Sequence, residues 1–374
     1  MNKKSKALVV APFIPIVPRL ASHRSAQGVI YADQIRQTGK YDIVDINWGG
    51  NAHEDHNEYD AVYVYWGSDW TGGLNLFGGV QSFPYAWNIR NFSKFKGKVY
   101  SLAIDFPKID EMIEERILNA ASKKKEIQPE WLEVDIQNLK RMRLESTRVR
   151  FPHITDKIVI GDSHAICMHR PGWTINSIPF KTLNGALNIG LKTFIEEMCP
   201  IESVKSLECY FGNIDVRHHL CRVEGHPVDN AVTLAERYVE AVKALSISDV
   251  AIYELLPIEN ESRKLPKTGY YKGKPFHGDW IQRNAIRHAF NDRCEKLCKE
   301  TGVRFIRWTD YLLNSKFELD FKFMEKPHSI HLSREFYPHW NGIDTFSTPQ
   351  KLSKVPHKSE LLEVEHNSLE SFFE

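Results

Sequence analysis

One feature restricts this chain more than any other. Short runs rich in Val and Ile, each closed by Gly, Asp or Pro, alternate with stretches whose apolar residues fall at helical spacing. Strands separated in this way run parallel, because returning to the same edge of a sheet needs a crossover about as long as a helix. In the first hundred residues the pattern predicts strands over 7–14, 41–47, 61–66 and 98–104, with a helix over 25–37 carrying Val29, Ile30 and Ile35 on one face.

The alternation then breaks. From 109 to about 150 the sequence is helical and strongly charged, including Lys123-Lys124-Lys125, and reads as a solvated connector. A second series follows, with strands predicted over 157–161, 173–178, 206–211, 249–255 and 304–308 and helices over 187–199, 230–244 and 280–301. The chain's 374 residues suit two cores, at roughly 100–200 residues each. The expectation is an α/β protein: a Rossmann-like domain over 1–108, a connector over 109–155, a three-layer α/β domain with a five-stranded parallel sheet over 156–346, and a polar tail over 347–374.

Charge and composition mainly exclude. The formal net charge of +1 points to no nucleic acid, membrane surface or acidic partner. No run reaches the ~18–20 apolar residues of a membrane helix. The basic start is followed by an apolar run broken by Pro12 and Pro15, which reads as a buried strand rather than a signal peptide. The six cysteines are scattered, and Cys294 and Cys298, one helical turn apart, lack a second pair to complete a zinc site. Reduced core thiols in a cytoplasmic protein are therefore expected. His53-Glu54-Asp55-His56 reads as a hydrophilic loop and not a metal site. The loop from Trp66 to Gly73 matches neither dinucleotide nor phosphate fingerprints, so no cofactor is expected.

Three segments carry chemistry. Ile158-Val159-Ile160-Gly161-Asp162-Ser163-His164 is a buried strand ending in Gly-Asp-Ser, and groups just past strand carboxyl ends line the ligand crevice of an open α/β sheet. A serine there has backbone N–H groups nearby to hold an oxyanion; a plain turn and N-cap is the other reading. The next strand runs into Gly212-Asn213-Ile214-Asp215-Val216-Arg217-His218-His219, a density of polar groups that suits a cleft better than a core. Pro327-His328-Ser329-Ile330-His331 closes the series, and His331 is the candidate base for Ser163.

In this order and spacing, Gly161-Asp162-Ser163-His164, Gly185, the 212–217 run and His331-Leu332 resemble the sequence blocks of SGNH/GDSL hydrolases. The run from Phe211 to Arg217 is similar to a Phe-Gly-Glu-Ile-Asp-Cys-Arg variant in bacterial and viral members, and Arg287–Asn291 followed by Gly302–Ile306 looks like the superfamily's last helix–strand unit. The resemblance spans about residues 156–345. It implies an acyl-serine mechanism without a metal, in which Ser163 attacks an ester carbonyl and His331 takes its proton. The N–H groups of Ser163 and Gly185 and the Asn213 side chain would hold the oxyanion, each donor typically contributing about 3–4 kcal/mol. Asp162, His164, Arg217, His218 and His328 are the candidate substrate-binding residues.

Two departures mark this chain. Ile214 stands where the family has asparagine, with Asn213 one residue early, and His328 stands where the orienting acid is usual. Asp215 or some other carboxylate orients His331, or the pair works as a dyad, or the site is silent. The functional expectation is an esterase or O-acyltransferase acting on an ester-bearing small molecule or carbohydrate. A nucleotide-sugar-binding glycosyltransferase-like protein and a silent binding module are the alternatives.

Overall fold

The computed structural model describes residues 4–10, 23–47, 56–65, 95–102, 133, 137, 147–148, 155–178, 181–265, 276–308, 312–325 and 329–337. The Trp66–Gly73 loop, His53–Asp55, nearly all of the 109–155 connector, His328 and the tail after 346 lie outside the described residues. Two parallel sheets organise the rest.

The first contains β1 (Lys6–Val10), β2 (Ile43–Asn47), β3 (Ala61–Tyr65), β4 (Lys98–Leu102) and the two-residue β5 (Thr147–Arg148), in the order β2-β1-β3-β4-β5. Leu8 of β1 lies opposite Asp45 on one side and Val62 on the other. The second contains β6 (Lys157–Asp162), β7 (Thr174–Ile178), β8 (Ser206–Tyr210), β9 (Asp249–Tyr253) and β10 (Arg304–Ile306), in the order β10-β9-β8-β6-β7. Every residue of β6 after Lys157 is buried, as expected of a parallel strand covered on both faces. The chain is α/β with two parallel sheets, as the alternation implied.

The helices are α1 (His23–Gln37), α2 (Leu183–Ile189), α3 (Leu191–Glu196), α4 (Pro227–Lys243) and α5 (Trp280–Thr301). The single helix expected over 187–199 is instead α2 and α3. Gly190 between them has φ +92, a value outside the helical region that glycine adopts without strain, so the chain turns there. The bounds of α5 fall where expected. Asp279 and Gln282 form a reciprocal capping box at its start, and Gly302 closes it in the left-handed conformation.

One placement was not readable from sequence order. Although α1 follows β1, it lies against β7 of the second sheet: Tyr31 Oη donates to the Ser177 carbonyl at 3.3 Å and Gln27 Nε2 to Ser177 Oγ at 3.2 Å. The apolar core is consequently continuous from Ala7 and Ile30 to Ile175 and Leu332. All six cysteines are free, five of them buried. Among the described residues, no helix is long and apolar enough to cross a membrane.

For the site, the decisive feature is the strand order. From β6 the chain steps to β7 on one side and then across to β8 on the other. A crevice opens at such a reversal, outside the carboxyl ends of the strands.

Candidate active site

β6 reaches this crevice through a glycine at a close approach. A Cβ at Gly161 would run into the Tyr210 carbonyl oxygen and stand 2.8 Å from Ala165 Cβ, so a side chain there would force β6 and β8 or the following turn to shift. Asp162 follows in extended conformation and caps the short turn Ser163–Met168, accepting from the His164 N–H at 2.8 Å. Ser163 is thereby set at the rim, 8% exposed.

His331 arrives from 168 residues further on, and its Nε2 lies 2.8 Å from Ser163 Oγ. The turn that carries it is held by a short antiparallel clip. Met324 pairs with Leu332, Glu325 N donates to the His331 carbonyl at 3.0 Å, and Ser333 N donates to the Phe323 carbonyl at 2.8 Å. Within the turn, Ser329 Oγ accepts from the His331 N–H at 3.0 Å and donates to Glu325 Oε1 at 2.7 Å. The His331 ring stacks on that of His164, with centroids 4.7 Å apart and planes 27° from parallel.

Of the residues expected to touch substrate, three lie beneath the site instead. Asp162, His164 and Arg217 are 0%, 0% and 1% exposed, so this part of the expectation is corrected. They form a buried chain: Asp162 Oδ1 is 3.0 Å from His164 Nδ1, and Arg217 Nη1 is 3.0 Å from His164 Nε2. Glu259 continues it, 2.9 Å from Arg217 Nε and 3.4 Å from Arg263 Nη1. The Arg217 Nε–H does not point along its contact with Glu259, so that pair attracts as charges without a well-formed hydrogen bond. Burial pushes the Glu259 carboxyl up, but Arg217 and Arg263 together outweigh it and hold the group below its ordinary range. Burial holds the nearby His218 down at about 3, against the pull of Glu259, with Arg217 and Arg263 adding to the depression. His218 is thus a neutral, mostly buried ring (8% exposed).

Asp215, expected beside His331, has both oxygens at a helix start. They accept from Leu183 N at 2.7 Å and Asn184 N at 3.1 Å, satisfying the first donors of α2. Burial raises its carboxyl, and those two hydrogen bonds offset only part of the rise. Two expected oxyanion donors are also engaged. The Gly185 N–H donates to Thr182 Oγ1 at 3.1 Å, and Asn213 Nδ2 donates to Tyr210 Oη at 2.6 Å. The single-residue displacement of the asparagine has turned its amide toward the β8 tyrosine. Among the described residues, no group of three or more His, Cys, Asp or Glu is placed to hold a metal ion.

Glu325, Ser329 and Glu259 were missed by sequence reasoning. A signal did exist for Glu259, which lies just past the carboxyl end of β9, where ligand-side groups gather. Glu325 had none, because an acid six residues before a histidine becomes its neighbour only when the chain doubles back.

No family model matches the chain. No curated protein matches it. Among the solved structures that match, one is 13% identical over 58% of this chain and 98% of its own length, at a TM-score of 0.31.

Proposed function

We propose that this protein is a serine esterase or O-acyltransferase of the SGNH/GDSL kind, acting on an ester-bearing small molecule or carbohydrate. The reading is carried by the 2.8 Å contact between Ser163 Oγ and His331 Nε2 at the crevice of the second sheet. The resemblance of residues 156–345 to that superfamily supports it, as does the five-stranded parallel order of that sheet.

In this scheme Ser163 Oγ attacks the acyl carbonyl while its proton passes to His331 Nε2. The tetrahedral intermediate collapses, the C–O bond to the leaving alcohol breaks, and that alcohol takes the proton from His331. A water, or an acceptor hydroxyl in a transferase, then gives its proton to His331 and attacks the acyl-serine; the acyl–Oγ bond breaks, His331 returns the proton to Ser163 Oγ, and the free acid or the new ester leaves. Neither step needs a redox partner. The N-terminal sheet fits a Rossmann-like unit in the same scheme.

A silent binding module is the second reading, favoured by one observation: Gly185 N–H and Asn213 Nδ2 are already engaged within the protein. A fluorophosphonate probe separates the two. Covalent labelling of the wild-type chain, lost in Ser163→Ala, is the expected result; no labelling together with no turnover of p-nitrophenyl acetate overturns the esterase.

A further inference from the structure

The acid that usually orients a catalytic imidazole is replaced at its expected position by His328, and both oxygens of Asp215 serve a helix start. The His331 ring has a definite support in the face of His164. We propose that His164 is the positioning residue for His331, fixing the plane of the base through ring stacking. This inference rests on the acyl-serine reading above.

The stack alone would be weak, since exposed rings slide. His164 is not exposed; it is wholly buried and gripped at both edges. Asp162 Oδ1 meets its Nδ1 at 3.0 Å and also accepts from its backbone N–H, so side chain and main chain are anchored by one carboxylate. At the other edge, Nε2 faces both Arg217 Nη1 and the carbonyl oxygen of Ile330, each at 3.0 Å. One nitrogen cannot donate to the carbonyl and accept from the guanidinium together. Arg217 offers only donors, so Nε2 is the acceptor and the ring proton sits on Nδ1, toward Asp162.

His331 therefore rests on a ring that is itself anchored at both edges, by Asp162 at Nδ1 and by Arg217 at Nε2. Arg217 is in turn held by Glu259, so the support is continuous from the loop after β9 to the rim.

The test follows fluorophosphonate labelling of the intact protein against time at several probe concentrations. This yields a maximal rate and a half-saturating concentration. His164→Ala is expected to lower the maximal rate roughly 100-fold, the scale of a misplaced catalytic group, while half-saturation stays within about twofold. His164→Phe restores a ring face and recovers most of the rate. A folded His164→Ala variant that labels at the wild-type rate overturns the proposal and leaves the esterase reading intact. A wild-type chain that never labels overturns both. Because emptying a buried site can unfold the chain, wild-type protein also supplies a direct check: a through-space NMR cross-peak between the His164 and His331 rings is expected, and its absence overturns the proposal without any variant.

Discussion

At the residue scale, the second sheet's rim shows how burial redirects polar side chains. His218 is neutral in the folded chain because its ionisation falls to about 3, whereas an unfolded histidine takes its proton near pH 6.5. Between those values the unfolded chain holds a proton that the folded chain refuses, so stability drops as pH falls below about 6.5, by up to about 1.4 kcal/mol per pH unit. Urea unfolding of wild type and His218→Gln at pH 7, 6 and 5 checks this: the acid-side decline is expected to be shallower in the variant, and parallel declines would refute it. The pairing of Ser163 with His331 was legible because both belong to short, ordered motifs. The destinations of Asp215 and Asn213 were not. Each is fixed by an atom outside its own segment, Leu183 N and Tyr210 Oη, and sequence spacing carries no information about which of several polar neighbours a side chain meets.

At the element scale, strands were the easiest to read. β1, β3 and β6 are short runs of Ala, Val, Leu, Ile and Tyr, and burial on both faces leaves them little alternation to misjudge. The division of α2 from α3 was lost because Leu187, Leu191, Phe194 and Ile195 keep helical spacing across Gly190 even though the backbone does not. The β6–β8 junction supports a sharp prediction. Gly161→Ala drives a methyl into the Tyr210 carbonyl, so the strands must separate or the turn bearing Ser163 must shift. The overpacking penalty is typically about 1–3 kcal/mol and more against backbone. Expected outcomes are a lower melting temperature and slower fluorophosphonate labelling; a fully stable, fully reactive variant would show that the close approach is not needed.

At the scale of the whole molecule, α1 ties the two sheets together. Tyr31 is wholly buried and its hydroxyl reaches β7 of the second sheet, while its helix returns the chain from β1 to β2 of the first. Truncating such a side chain to alanine costs on the order of 3–5 kcal/mol. Tyr31→Ala is therefore expected to weaken amide-exchange protection in β7 as well as in β1, and loss confined to the first sheet would separate the two halves energetically. The strand–helix alternation made both sheets visible in the sequence, except for β5, which falls in the stretch read as a charged helical connector. The helix that joins them stayed hidden, because alternation says how many layers form and not which sheet a crossover covers.

Ser163 and His331 are separated by 168 positions, and the clip that delivers His331 is among the last described segments of the chain. A ribosome releases these parts in order, with domains forming as they emerge. Strands β6 to β9 have left the exit tunnel before the histidine has been translated. On the acyl-serine reading, the nascent protein carries its serine without a proton acceptor while the 168 residues up to the histidine are made, and reactivity switches on only when the closing turn docks at the rim.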